Sequence, residues 1–293
     1  MEKIRSEKIK EHIEYFNSIR EIGVIEACKQ GIIKEVSCSF SGGKDSLATL
    51  LWAKNNLPSQ TKIIGSYVNI PLENIDIINY IKYVEKETGI KIDIYQYTPE
   101  QEKKQIDLLL KTAKENGPPF TVRSCVAILK EPLYKKFNRK VDIGFIGVRW
   151  KESQLRQNAT KLYRYHYGIF YHPIISWSKF DVFNYIKENK IKLYPAYKYV
   201  DRLGCSICPL GLGKKNCSQI YFISKMRHCV DWDFYDRWYS AMENFKYDHS
   251  CESFVQRLNY LKSNWRKLKK LLEKDHEEIK IPEYNPPVYD WFK

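Results

Sequence analysis

Nowhere in this chain does an apolar run approach the roughly 18 residues that a membrane-crossing helix requires. The opening residues, MEKIRSEKIKEH, are charged from the second onward. These two absences predict a soluble, cytoplasmic protein with no signal peptide and no membrane partner. Internal repeats and low-complexity linkers are missing too, so a solenoid or a tethered array is not expected. Acidic residues are scarce: 35 Asp and Glu stand against 49 Lys and Arg, a formal charge of +14. Such a surplus suits an anionic partner, a nucleotide or a nucleic acid. It is equally what an AT-rich genome yields through its bias toward Lys, Ile, Asn and Tyr. The densest basic cluster, NWRKLKKLLEK at 264–274, alternates with apolar positions and fits a solvated helix face equally well.

The chain has 293 residues, 43% of them hydrophobic, enough for one large α/β domain with an appendage or for two modest domains. Apolar spacing predicts a helix over 3–30, then a strand in EVSCSF with Val36, Cys38 and Phe40 on one side. A helix over Asp45–Asn55 follows. Strand KIIGSYVNI, helix ENIDIINYIKYVEKETG, strand KIDIYQY and a helix over 99–116 come next. Further on, the pattern predicts a helix over 123–138, a buried strand VDIGFIGVR and a strand GIFYHPII. The helix SKFDVFNYIKENK then has Ser178 as its N-cap. Strands and helices alternating in this way imply an α/β fold with a doubly wound, mostly parallel sheet. Past residue 195 the periodicity gives way to Cys, Gly and Lys, then to Trp- and Tyr-rich helices over 218–276 and the tail IPEYNPPVYDWFK. The expected division is an α/β domain at 1–195 and a Cys-rich, helical part with an extended tail at 196–293.

SCSFSGGKDSLATLL runs from a strand through two glycines straight into a helix. Glycines let the backbone turn tightly and bring N–H groups close to an anion. Ser46 and the first-turn amides lie at the positive end of the helix, and Lys44 adds a point charge. Asp45 is the odd member, since a carboxylate repels phosphate unless it holds Mg²⁺ or caps backbone donors. The spacing is not that of the nucleoside-triphosphatase P-loop. It resembles the PP-loop of the ATP-pyrophosphatase superfamily, whose members cut ATP between the α and β phosphates or bind a related adenine nucleotide uncut.

Four more stretches narrow the resemblance: RSCVAILKEPL (123–133), GVRWKESQLR (147–156), HPIISWSKFDVFNYIKENKI (172–191) and RLGCSICP (202–209). In this order they are similar to the successive motifs of the phosphoadenosine-phosphosulfate reductase family, with its adenine nucleotide alpha hydrolase-like fold. The resemblance covers roughly residues 34–210. It implies that Ser41, Gly42, Gly43, Lys44, Asp45 and Ser46 hold the phosphates. Lys44 and Asp45 take the catalytic roles, and Arg149 and Arg156 contact the anionic nucleotide. For either arginine taken singly, an ion pair, for instance with Glu152, is the ordinary alternative.

The chain has eight cysteines, and Cys205, Cys208 and Cys217 crowd together. In an intracellular protein that points to metal or catalysis rather than disulfides. With Cys125 they make a four-thiolate set that suits a 4Fe–4S cluster or tetrahedral zinc. Cluster-bearing adenylylsulfate reductases of the family pair two cysteines in the first motif. Here the motif has SC, and Cys217 supplies the missing ligand, as in the similar arrangement of the bacterial DNA phosphorothioation enzyme. The remaining Cys28, Cys38, Cys229 and Cys251 read as core or incidental residues. True reductases also carry a nucleophilic cysteine in a short C-terminal Glu-Cys-Gly-like motif. This chain has none, which leaves Cys251 as the one residue to consider for that role.

The resemblance therefore implies an ATP-dependent sulfurtransferase. ATP with Mg²⁺ adenylates an acceptor, DNA or tRNA, and sulfur from a donor such as a cysteine desulfurase displaces AMP. The alternatives are a reductase of adenylylsulfate (APS) or phosphoadenylylsulfate (PAPS), and a non-catalytic nucleotide-binding member of a modification complex. The chain acts as part of a homo-oligomer or of that complex. Glu73 reads either as nucleotide-facing or as a helix N-terminal acid, and His166 and His172 as scaffold. Trp232, Tyr235, Trp238 and Tyr239 fall at helical spacing and read as a helix–helix contact.

Overall fold

A computed structural model describes residues 2–273 other than 75, 121–122, 139–140, 166–167, 201–202, 214–222, 224–229, 244 and 246–251. The predicted Cys217, Cys229, Cys251 and His166, and the tail over 281–293, lie outside the described residues. Among those described, no helix is long and apolar enough to cross a membrane.

Six strands form one sheet: β1 (Glu35–Ser39), β2 (Lys62–Val68), β3 (Ile92–Tyr95), β4 (Ile143–Phe145), β5 (Leu162–Tyr165) and β6 (Gly168–Tyr171), in the order β3-β2-β1-β4-β6-β5. All pairings are parallel except β5 with β6. Crossover helices α3 (Lys44–Asn56), α4 (Ile77–Thr88), α5 (Pro99–Asn116) and α6 (Glu131–Asn138) link the parallel strands, and α7 (Lys179–Glu188) follows the sheet. The fold is the expected doubly wound, mostly parallel α/β architecture. Val36, Ser37 and Cys38 are all buried, because a strand covered on both faces has no solvent side to alternate with. The predicted N-terminal helix is two, α1 (Glu2–Ile22) and α2 (Val24–Lys29), divided at Gly23, whose φ of 86° no helix accommodates. Ser178 caps α7 by accepting from the Asp181 amide at 3.1 Å.

The predicted helix over 123–138 contains a wide turn, Val126–Lys130, in which the Glu131 amide donates to Val126. Pro132 explains it. Proline has no N–H, and its ring strikes the carbonyl four residues back. Opening the helix relieves that clash and frees carbonyls, and the Tyr97 hydroxyl donates to Leu129 at 3.0 Å.

The chain builds two compact units, and no single cut separates them. The first comprises Met1–Val68, Ile81–Tyr95 and Tyr134–Leu193, and so holds the whole sheet. The second comprises Asn69–Tyr80, Gln96–Leu133 and Tyr194–Lys293. The last passage from the first unit to the second falls after Leu193. In the second unit, α8 (Pro209–Leu212), α9 (Trp232–Glu243) and α10 (Glu252–Glu273) join α5. Tyr235, Trp238 and Tyr239 of α9 are buried, and Tyr239 stacks on Trp265 of α10 at 4.2 Å. Trp232 is half-buried.

His172, after β6, is buried, with Nδ1 at 2.9 Å from the Thr160 carbonyl. Burial holds its pKa below the ordinary 6.5; the Thr160 contact opposes this and the Arg156 cation adds to it. Below about pH 6.5 the unfolded chain therefore takes up the proton before the folded one does. His172 contributes its full stability above that pH and loses it as pH falls toward the folded value. Denaturant midpoints at pH 7.5 and 5.5 are expected to differ more for the parent than for His172→Gln.

Candidate functional site

β1 and β4 are neighbours, with Cys38 opposite Phe145. From β1 the sheet runs to β2 and β3 on one side and to β4 on the other. Such a reversal opens a crevice at the carboxyl ends of the two strands, where open α/β sheets place ligands. The loop after β1 is the glycine turn. The loop after β4 carries Gly147 and Arg149.

Gly42 has φ 71°, the left-handed region that favours glycine. Gly43 is extended and caps α3. The Ser46 hydroxyl donates to the Gly43 carbonyl at 2.8 Å and accepts from the Ser41 amide at 3.1 Å, so it knots the turn. The Ser41 hydroxyl lies 3.2 Å from it. Gly147 is pressed against this knot. A Cβ built there would stand 2.6 Å from the Asp45 carbonyl carbon and 2.9 Å from the Ser46 nitrogen. Only a glycine lets the β4 loop lie so close.

Lys44 and Arg149 are each 4% exposed, and both reach Asp45. Lys44 Nζ is 2.9 Å from Oδ2, and Arg149 Nε is 2.5 Å from Oδ1. Arg149 also donates to the Trp177 carbonyl at 3.4 Å. Two shielded cations thus converge on a single carboxylate at the amide-rich start of α3. Sequence reasoning left Asp45 between holding Mg²⁺ and capping amides. It missed this ion-pair role, and the only available hint was the acid standing amid phosphate-type donors. Arg156 pairs with Glu152.

The thiols belong to the second unit. Ser206, fully buried, anchors the Cys-x-x-Cys turn: its amide donates to the Leu72 carbonyl at 2.9 Å and its hydroxyl to Asn74 Oδ1 at 2.9 Å. Glu73, between those two residues, forms a close ion pair with Lys130, with side chains only 12% and 19% exposed. It lies ahead of α4, outside that helix's first turn, and so is not the helix N-terminal acid of the sequence reading. Burial pushes the Cys205 thiol well up; Lys130 pulls against this, and Glu73, Cys208 and Cys125 push with it. Burial likewise raises Cys125, helped by Cys208. Cys125, Cys205 and Cys208 are thus near enough to feel one another's charge. Among the described residues, however, no three His, Cys, Asp or Glu side chains are gathered tightly enough to hold a metal ion. Cys28 and Cys38 are buried core residues.

The model of the phosphoadenosine phosphosulfate reductase domain matches residues 35–210. An uncharacterized protein of Methanocaldococcus jannaschii is 34% identical over 206 residues, 67% of this chain and 40% of that protein. The chain thus spans well under two thirds of that relative's length. Among solved structures, phosphoadenylyl-sulfate reductase from Candida auris in a phosphate complex gives a TM-score of 0.45 at 15% identity, over 67% of this chain and 94% of that one. The U34-tRNA thiolase of Methanococcus maripaludis with its 4Fe–4S cluster gives 0.41 at 15% identity, over 87% of this chain and 79% of that one.

Proposed function

The chain belongs to the phosphoadenosine phosphosulfate reductase domain family, and from that premise we propose that it is an ATP-dependent sulfurtransferase acting on nucleic acid, DNA or tRNA. The observation that carries the reading is the pair of shielded cations, Lys44 and Arg149, converging at the start of α3. An anion entering there meets the amides of Ser41–Ser46, the helix N-terminus and two positive charges. The Arg149 fork then passes from Asp45 to a phosphate, and Asp45 is released to hold Mg²⁺.

With ATP so held, an acceptor oxygen attacks the α phosphorus, the bond to the β,γ-pyrophosphate breaks, and pyrophosphate leaves. The acceptor now carries AMP as a leaving group. A donor such as a cysteine desulfurase carries the sulfur as a persulfide; a thiol reductant, itself oxidised to a disulfide, releases it as hydrosulfide, which displaces AMP and forms the carbon–sulfur or phosphorus–sulfur bond. Lys44 and Arg149 stabilise the charge that builds on the departing phosphates.

Cys125, Cys205 and Cys208, with Cys217, are the residues that would hold a 4Fe–4S cluster, zinc being the alternative occupant. The donor set is soft, which suits a cluster and which zinc also accepts. Raised thiols must first lose their protons, so capture of the metal releases protons and draws the turn together. When bound, a cluster would supply an iron site for sulfur. The same raised thiols make poor free nucleophiles at neutral pH, which favours a ligand role for them.

The test is ATP turnover by the full chain with DNA or tRNA and a sulfide source. Pyrophosphate and AMP release that depends on the acceptor is the expected result. Arg149→Ala is expected to weaken ATP binding by about 10- to 100-fold, the loss of charge-assisted bonds to phosphate. Sulfite release from adenylylsulfate with thioredoxin would replace this reading with a reductase. ATP binding without any turnover would leave a nucleotide-binding component of a modification complex.

A further inference from the structure

We propose that the exposed face of α10 is the surface on which a nucleic-acid backbone docks. The inference rests on the nucleic-acid reading above and locates it on named residues. Leu258, Leu261, Trp265 and Leu268 are buried, which fixes the helix about its axis. The opposite face forms a groove lined by Asn259, Lys262, Ser263, Arg266, Lys267 and Lys270. Among the described residues, that lining has four cations, two neutral hydrogen-bonding side chains and no acid.

The other cations of α10 are spent inside the unit. Arg257 lies over the Phe120 ring at 4.2 Å. Lys269 pairs with Asp236 at 2.6 Å and approaches the Trp265 ring at 5.6 Å. Of the groove cations, only Arg266 reaches a described carboxylate, Glu243, at 3.7 Å between exposed side chains. Lys262, Arg266 and Lys270 recur every fourth residue, and like charges at that spacing repel one another and destabilise a helix. Beyond the exposed Arg266–Glu243 pair the described fold offers the row no anion, whereas a row of phosphates would.

The three cations climb the helix in steps of about 6 Å, less than the Debye length of about 8 Å at physiological salt, so they act as one electrostatic strip. A strip of this kind follows successive phosphates of a strand, with Asn259 and Ser263 as hydrogen-bond donors to them. A lipid surface fits less well. A helix lying on a membrane needs an apolar face free to enter it, and the apolar face of α10 is committed to the core.

The test is fluorescence anisotropy of labelled single-stranded RNA, duplex DNA and tRNA on the full chain and on Lys262→Ala/Arg266→Ala/Lys270→Ala, across a salt series. The triple variant is expected to lose about tenfold or more in affinity for the preferred nucleic acid. The slope of log affinity against log salt should become shallower by about 2 to 3. Lys269→Ala, removed from the groove, should bind as the parent does. Unchanged affinity and slope in the triple variant overturn the proposal. So does loss of binding to anionic phospholipid vesicles with nucleic-acid binding intact. ATP binding, measured separately, reports on the glycine turn. A triple variant that binds ATP normally but not nucleic acid supports the surface. A parent that binds nucleic acid through this face yet never turns over ATP keeps the surface and removes the sulfurtransferase.

Discussion

Asp45→Asn is expected to melt about 5–15 °C below the parent in plain buffer, the result of breaking a shielded ion pair worth about 3–5 kcal/mol on removal of one partner. The replacement has nearly the same shape, so packing is kept and only charge is lost. Arg149, 4% exposed, then faces Lys44 across a neutral amide instead of a carboxylate. Inorganic phosphate or ATP should restore much of the loss, since a ligand that binds only the folded state stabilises it by mass action. Turnover is expected to fall about 100-fold or more even where ATP binding survives, because Asp45 is the proposed Mg²⁺ holder. Thermal melts with and without phosphate, beside pyrophosphate release, read both effects. A variant that melts with the parent would show that the pairing holds nothing together; a deficit that phosphate leaves untouched would remove the anion from this position.

Gly147→Ala is the second large effect. The added methyl meets backbone at 2.6 Å, the Asp45 carbonyl, rather than a side chain able to swing away. Either β4 recoils or the glycine turn opens, at about 1–3 kcal/mol for an overpacked contact. Because the contact is with the turn itself, ATP affinity is expected to drop by about tenfold or more, beyond the share explained by stability. Gly204→Ala is the control, for its Cβ would meet nothing within 4 Å. Isothermal titration on both variants, at a temperature where both are folded, separates the two contributions. Equal affinity in the two would mean that the turn does not depend on the β4 loop.

The parallel sheet could be read from the sequence because its strands are short apolar runs set between helices of regular period. Edge strand β5, LYRY, could not, since its polar and aromatic residues carry no apolar run. The glycine turn was legible for a different reason: strand, turn and helix are adjacent in the chain, and each residue type has a local cause. What joined it to Arg149 and Gly147 was pairing between β1 and β4, about a hundred residues apart, which no local pattern encodes. The same holds for Glu73 and Lys130: each had an ordinary local reading, and only the tertiary fold paired them. The wide turn before Pro132 was hidden in another way. Proline announced a break, but its repair came from the distant Tyr97.

The chain's repeated passage between its two units, after Val68, Tyr80, Tyr95, Leu133 and Leu193, dictates an order of assembly on the ribosome. Residues 69–80 and 96–133 emerge early and must wait, half-clothed, for the segment beginning at Tyr194. During synthesis Cys125 precedes both Cys205 and Cys208. It gains Cys205 and Cys208 as company only after the final return, so the proposed cluster or zinc, which would need all three, would be loaded late or after release.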